Sequence, residues 1–300
     1  MNGARRPFVD RPVADVDAAA GLADRLAGEL GLRSPTLMRV GMNALFEAGD
    51  TVIRVGRPSA DPHLSYELAS RLTTAGIVVP QPATDRVVAA DGMAATGWRR
   101  VDSIEASIDW IAVGAMVRAV HTLGRAVVPD GYPVPTPGSF PWWHFDSVLS
   151  DVAGEIDEVA LASLREAVAR HTGWDQFDRA STVVCHGDVH PGNVVMSAKG
   201  PVLLDWDLMC EAPAGWDHAM LVTLAERWGG DPAVYPAFAA GYGASLADDE
   251  KTRAFAELRN VAATLMRVRA ARTNLEARAE AERRLKFWRN DPDAPQWQAQ

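Results

Sequence analysis

The feature that most constrains this chain is a change of hydrophobic period near Val101. Upstream, "TLMRV" (36–40), "ALFEA" (44–48) and "TVIRV" (51–55) are short, alternating or β-branched, and separated only by Gly41-Met42-Asn43 and Gly49-Asp50. Connections that short join antiparallel neighbours, so the three segments predict a meander. "RVVAA" and "MAATGWRRV", divided by Asp91-Gly92, predict a further hairpin, while helical spacing marks 14–32 and 64–76. Beyond Val101 the pattern turns helical over 103–124, 144–171, 175–179, 216–229, 233–246 and 249–289. A proline-rich loop at 127–143 and one β-rich island at 181–205 interrupt it. An α/β sheet would alternate strands with helices throughout. The expectation is therefore an α+β chain with a sheet-rich part over 1–100 and a larger helical part over 101–300.

The net charge of −9 excludes a general nucleic-acid binder, which needs a basic face, but leaves room for nucleotide binding. Lysine is scarce: Lys199, Lys251 and Lys286 are the only ones, and the basic residues are otherwise arginine. The two cysteines, Cys185 and Cys210, are too few for a disulfide framework and read as reduced core thiols. No stretch of about 18 apolar residues is present, and the N-terminus lacks the apolar core of a signal peptide. A cytoplasmic protein without membrane contact is expected.

The island carries the chemistry. "VVCHGDVHPGNVV" (183–195) places His186, Asp188, His190 and Asn193 in a loop between two buried strands. "GPVLLDWD" follows, bringing Asp205 to the end of a strand that pairs back on the first. Asn193 and Asp205 then converge as an amide oxygen and a carboxylate, hard ligands suited to Mg2+. Asp188 is left at the loop tip, facing whatever lies in front of the metal. A base, an amide and a carboxylate around magnesium are the parts phosphoryl transfer needs.

The spacing His186-x-Asp188-x-x-x-x-Asn193, followed by Asp205-Trp206-Asp207, resembles the aminoglycoside phosphotransferase and choline kinase family. The resemblance implies a bilobal protein-kinase-like fold, with a small antiparallel-sheet N-lobe and a larger, mainly helical C-lobe. It implies ATP or another nucleoside triphosphate and Mg2+ as cofactors. Asp188 would be the catalytic base, Asn193 and Asp205 metal ligands, and Asp207 either a second ligand or a brace for the loop. His186 and His190 would hold the turn, and Asp217 in "GWDHAML" would brace the loop from the next helix, with His121 packing in the core. The lysine that such kinases carry on the third strand is missing. Arg54 stands in its place, with Glu67 of the following helix expected as its ion-pair partner. Gly41 and Asn43 would cover the phosphates, and Trp98, Arg100 and Val101 lie where the resemblance places the adenine-binding hinge.

The acceptor is less legible. Trp142, Trp143, His144, Asp146, Glu211, Trp216 and Trp228 are candidates, since aromatic faces suit sugar rings and acids suit amines. The expected partner is a small molecule with a hydroxyl group, of the amino-sugar or aminoglycoside type. Two rival readings stay open. One is a kinase-like nucleotide binder without catalysis. The other is a metal-dependent hydrolase using His186, Asp188, His190 and His218 around Zn2+. The sequence says nothing of oligomeric state.

Overall fold

The computed structural model describes residues 6–298. Helix α1 (Val16–Glu29) starts where the Asp15 carboxylate accepts from the Ala18 N–H at 2.9 Å. Strands β1 (Thr36–Val40), β2 (Ala44–Ala48) and β3 (Thr51–Gly56) follow, then helix α2 (His63–Thr74) and strands β4 (Pro82–Ala90) and β5 (Met93–Arg99). They form one antiparallel sheet in the order β1-β2-β3-β5-β4. Leu22, Ala23 and Leu26 of α1 pack on Phe46, Ile53, Val55 and Ala95. Because strand side chains alternate, Arg54, between Ile53 and Val55, faces away from that core.

The larger lobe begins with α3 (Trp110–Leu123), then α4 (Phe145–Val152) and α5 (Glu158–Arg170). A small β region comes next: β6 (Val183–Cys185), β7 (Val194–Ser197), β8 (Gly200–Leu203) and β9 (Cys210–Ala212). Five helices complete it, α6 (Gly215–Val222), α7 (Leu224–Trp228), α8 (Val234–Tyr242), α9 (Glu250–Ala270) and α10 (Leu275–Trp288). Helices α3 and α8 cross at glycines. A Cβ at Gly114 would sit 2.0 Å from the Phe238 carbonyl oxygen, and one at Gly241 1.8 Å from that of Ile111. Among the described residues, no helix is long and apolar enough to cross a membrane.

Several boundaries differ from the sequence reading for local reasons. Residues 103–109 are not helical. Ser103 bridges Ser197, Ile104 N–H donates to the Met196 carbonyl at 2.9 Å, and the helix waits for Asp109, whose side chain caps it. Residues 144–171 divide at Asp157 and 249–289 divide at Asn274, each an N-cap residue that starts a new helix. At 175–179 no helix forms; a single 3-10 turn follows at Arg179–Ser181. The island extends to Ala212, and its pairing is not a single hairpin: β8 pairs with β7, whereas β6 pairs with β9. Cys185 and Cys210 are register partners there, both buried and free.

The lobes share a core. Phe8, Leu68, Leu72 and Val79 of the small lobe pack in one cluster with Val184, Val194, Leu203 and Trp206 of the large one. Residues 7–13 lie between the lobes as a strap. Phe8 N–H donates to the Asp207 carbonyl at 3.1 Å, Ser59 N–H to the Phe8 carbonyl at 2.8 Å, and Val13 N–H to that of Met42 at 3.1 Å.

Candidate active site

Strand β6 runs through the core and ends at Cys185, and the chain turns at Gly187, where φ is 96°. A Cβ there would lie 1.9 Å from the Leu208 carbonyl oxygen, so only glycine fits. Behind the turn, the fully buried Asp217 carboxylate accepts the His186 and Gly187 N–H groups, both at 2.8 Å, and His121 Nε2–H at 3.0 Å. Burial alone would raise the Asp217 pKa, but the hydrogen bond and charge of His121 and the Gly187 amide lower it. His121 shows the other half of the pair: burial disfavours its charge, yet Asp217 and Cys185 raise its pKa to about 10. The Tyr242 hydroxyl, 3.0 Å from His121 Nδ1, completes this brace.

His186 Nε2 donates to the Leu204 carbonyl at 2.8 Å, and its Nδ1 accepts the Asp188 N–H at 3.2 Å. Those two bonds fix a neutral tautomer, in keeping with a pKa lowered by burial. His190 Nδ1 accepts the Gly192 N–H at 3.0 Å, shaping the turn at Pro191–Asn193, and its Nε2 lies 3.5 Å from Asp188 Oδ2. Neither nitrogen of His186 is free for a metal. His218 stands in a different environment, 3.2 Å from the Tyr235 hydroxyl and edge-on to Tyr242. The zinc-hydrolase arrangement of these histidines is therefore not what the fold assembles.

Asp188 projects from the loop with its carboxylate partly open. Burial pushes its pKa up, but His190 and Arg259 outweigh this and bring it down to about 2. Asn193 Nδ2 donates to the Asp188 carbonyl at 2.9 Å and to Oδ2 at 3.1 Å, which leaves the amide oxygen as the acceptor for another ligand. Leu204 N–H donates to the Asn193 carbonyl at 2.8 Å, so Asp205 follows directly beside Asn193. Asp205 has φ 58°, a left-handed conformation unusual for a non-glycine residue. Its Oδ1 is buried without a hydrogen-bond partner. An orphaned buried acceptor costs about 1–3 kcal/mol, more when charged. A divalent cation held by Asp205 and the Asn193 oxygen relieves that cost, so these residues fit Mg2+.

Asp207 is otherwise engaged. Its buried carboxylate accepts from Asn43 Nδ2 at 2.9 Å and is bound at short range by the Arg54 guanidinium across the interlobe cleft. This corrects the expected Arg54–Glu67 pair. Helix α2 turns Ser65, Tyr66, Leu68 and Ala69 inward, so Glu67 falls on the outer face, where Arg71 binds it at 2.6 Å. Glu67 therefore does not pair with Arg54, whose carboxylate partner is Asp207. Arg54 instead borders a narrow cavity with Asn43, Ser65, Thr96, Phe8 and Val9. Gly41 is exposed in the β1–β2 turn, its N–H donating to the Asn43 carbonyl. At the expected hinge position, Trp98 leans on Tyr66 and donates to Thr96 Oγ1 at 2.9 Å. Arg100 is committed to Asp50 through its backbone N–H and to Glu47 through its side chain. Val101 begins the extended connection to α3.

Of the expected acceptor residues, Trp143 and Trp216 meet, their ring centroids 4.5 Å apart, but inside the core. Trp143, 4% exposed, is core: it packs tilted against Trp174 and Trp216 and edge-on to Phe145. Trp216 is buried likewise. Trp142 packs on Phe140, and His144 is exposed, with Nε2 donating to the Gly138 carbonyl. Asp146 lines an open cleft of about 540 Å³ with Arg165, Trp174 and Asp175. Glu211 binds Arg125 at 2.7 Å, and Trp228 packs on Trp297 and Arg284. A residue missed in the sequence does reach the loop: Arg259 NH1 lies 3.7 Å from Asp188 Oδ1. Its signal is its position, one turn after Phe255 and before Ala262 on the apolar stripe of α9.

A small antiparallel sheet over a helical lobe, with an Asp-loop-Asn and a following Asp at their junction, defines the bilobal protein-kinase-like class. The model of the phosphotransferase enzyme family matches residues 44–258, and the chain belongs to that family. Comparison with curated protein sequences finds no match. Among solved structures, the GDP complex of wild-type aminoglycoside 2'-phosphotransferase-IIIa is similar with a TM-score of 0.66 at 13% identity, covering 93% of this chain and 100% of that one. Amicoumacin kinase hAmiN, in complex with AMP-PNP, calcium and Ami, is similar with a TM-score of 0.66 at 13% identity, covering 93% and 96%. A choline/ethanolamine kinase family protein from Mesorhizobium loti is similar with a TM-score of 0.58 at 16% identity, covering 93% and 95%.

Proposed function

We propose that this protein transfers the γ-phosphoryl group of ATP to a hydroxyl group of a small molecule of the amino-sugar or aminoglycoside type, in the cytoplasm. The observation that carries the reading is the triad of Asp188, Asn193 and Asp205. Asp188 is an ionised carboxylate held by Asn193, and beside it Asp205 keeps a buried oxygen with no protein partner. Asp188 accepts the proton of the acceptor hydroxyl as that oxygen attacks the γ-phosphorus and the bond from phosphorus to the β,γ-bridging oxygen breaks, releasing ADP. Asn193 orients Asp188 through two hydrogen bonds from its amide nitrogen. Asp205 and the Asn193 amide oxygen would hold magnesium, which would supply positive charge against the phosphate oxygens. The nucleotides in similar structures, GDP, ADP, AMP and AMP-PNP, support a nucleoside triphosphate as donor. Spectinomycin and kanamycin in two of them support an acceptor of this type.

A second reading, nucleotide binding without transfer, is favoured by one observation: Arg54, the cation in place of the usual lysine, is already bound to Asp207. ATP consumption against a panel of aminoglycosides, amino sugars and amino alcohols separates the two. Transfer predicts acceptor-stimulated turnover that EDTA abolishes and Mg2+ restores. Nucleotide binding with no turnover on any acceptor would favour the second reading, and zinc-dependent activity indifferent to ATP would remove both.

A further inference from the structure

Every backbone hydrogen-bonding group from the Gly187 nitrogen to the Asp188 oxygen has a named partner. Asp217 takes the Gly187 N–H, His186 Nδ1 the Asp188 N–H, and Asn193 Nδ2 donates to the Asp188 carbonyl. The Gly187 carbonyl has two donors, Trp216 Nε1 at 3.2 Å and Arg259 NH2 at 2.8 Å. The same NH2 lies 3.3 Å from the Trp216 carbonyl, and the Arg259 Cζ lies 4.4 Å from the centre of the Trp216 ring. NH1 faces Asp188 Oδ1 at 3.7 Å, while Asn193 and His190 address Oδ2. The carboxylate is thus approached at one oxygen from within its own loop and at the other from α9. Arg259 is only 14% exposed, and its Nε is buried without an acceptor.

We propose that Arg259 is a positioning residue for Asp188, fixing both the backbone that carries the carboxylate and the direction in which the carboxylate points. The proposal rests on the reading of Asp188 as the base. An arginine suits the task because its planar fork reaches two carbonyl oxygens and the carboxylate while its face lies on an indole. A lysine supplies one compact charge and can serve only part of this set. Misplacing a catalytic group by about 1 Å costs on the order of 10²-fold in rate, which sets the scale expected here.

The test compares wild type, Arg259→Gln, Arg259→Lys and Trp216→Phe, the last keeping a ring under the guanidinium but removing the Nε1–H. Steady-state phosphate transfer, or ATP hydrolysis without acceptor, is measured beside amide hydrogen exchange over residues 186–190. Arg259→Gln is expected to lower kcat about 10²-fold with the KM for ATP within about twofold, Arg259→Lys to recover part of the loss, and Trp216→Phe to lose less. Exchange at Gly187 and Asp188 is expected to quicken in Arg259→Gln at unchanged melting temperature. Unchanged kcat, or unchanged exchange, would overturn the proposal. So would a loss of kcat that merely follows a fall in melting temperature and in nucleotide affinity across the variants. If wild type consumes no ATP at all, the phosphotransfer reading falls, and hydrogen exchange still decides whether Arg259 holds the loop.

Discussion

Asp217 braces the loop of His186 to Asn193 from outside it, and its partnership with His121 has a consequence for pH. The His121 pKa rises from an ordinary 6.5 to about 10, so its contribution to stability is complete below about pH 6.5 and is lost as pH climbs through 10. Asp217, lowered, contributes above the ordinary carboxylate range and loses its contribution as pH falls below it. Urea unfolding at pH 6, 8 and 10 is expected to show wild type losing stability towards pH 10, with His121→Asn flatter over the same range. Parallel curves would contradict the buried ion pair. At this scale the sequence was readable where partners are close. Asp188 and Asn193 lie five positions apart, and a turn alone brings them together. Arg54 was assigned the wrong acid because Asp207 lies 153 positions away across the cleft, and no periodicity points there. Arg259, 72 positions from Gly187, was missed because a helix stripe marks a residue as buried without naming what it meets.

Elements were legible where turn chemistry left no choice. The two- and three-residue connections after β1, β2 and β4 admit only antiparallel pairing, and the sheet follows that order. Residues 103–109 misled because Ile104 and Ile108 continue the helical spacing of α3, while hydrogen bonds to β7 hold the segment extended. Ser197 and Met196 supply that competition, and neither is visible from local pattern. The strap at residues 7–13 gave no sequence signal either, yet it packs like core. Phe8 is 3% exposed and stacks on Tyr132 at 4.9 Å with an interplanar angle of 4°. Replacing it with alanine leaves a void at the lobe junction. Phe8→Ala is expected to cost about 3–5 kcal/mol in denaturant unfolding. A cost under about 1 kcal/mol would show that the strap is peripheral.

For the whole molecule, the lobes are one packed object as well as two secondary-structure types. Arg54 and Asn43 cross to Asp207, Phe8 lies between the lobes, and the cluster from Leu68 to Trp206 runs through both. The α+β division into a sheet-rich and a helical part was readable from the change of period at Val101, and its bilobal arrangement from the resemblance carried by the motifs at 186–207. The acceptor site was less so, because a tryptophan in the sequence does not declare whether it packs or binds, and Trp143 and Trp216 are used in packing. The central claim, that Asp188 is the base of a phosphoryl transfer, is tested most directly by Asp188→Asn, which keeps the shape and removes the basic carboxylate. Transfer from Mg2+-ATP is expected to fall about 10²–10⁴-fold while affinity for a non-hydrolysable ATP analogue stays within about twofold. An Asp188→Asn protein that retains wild-type turnover would contradict the account.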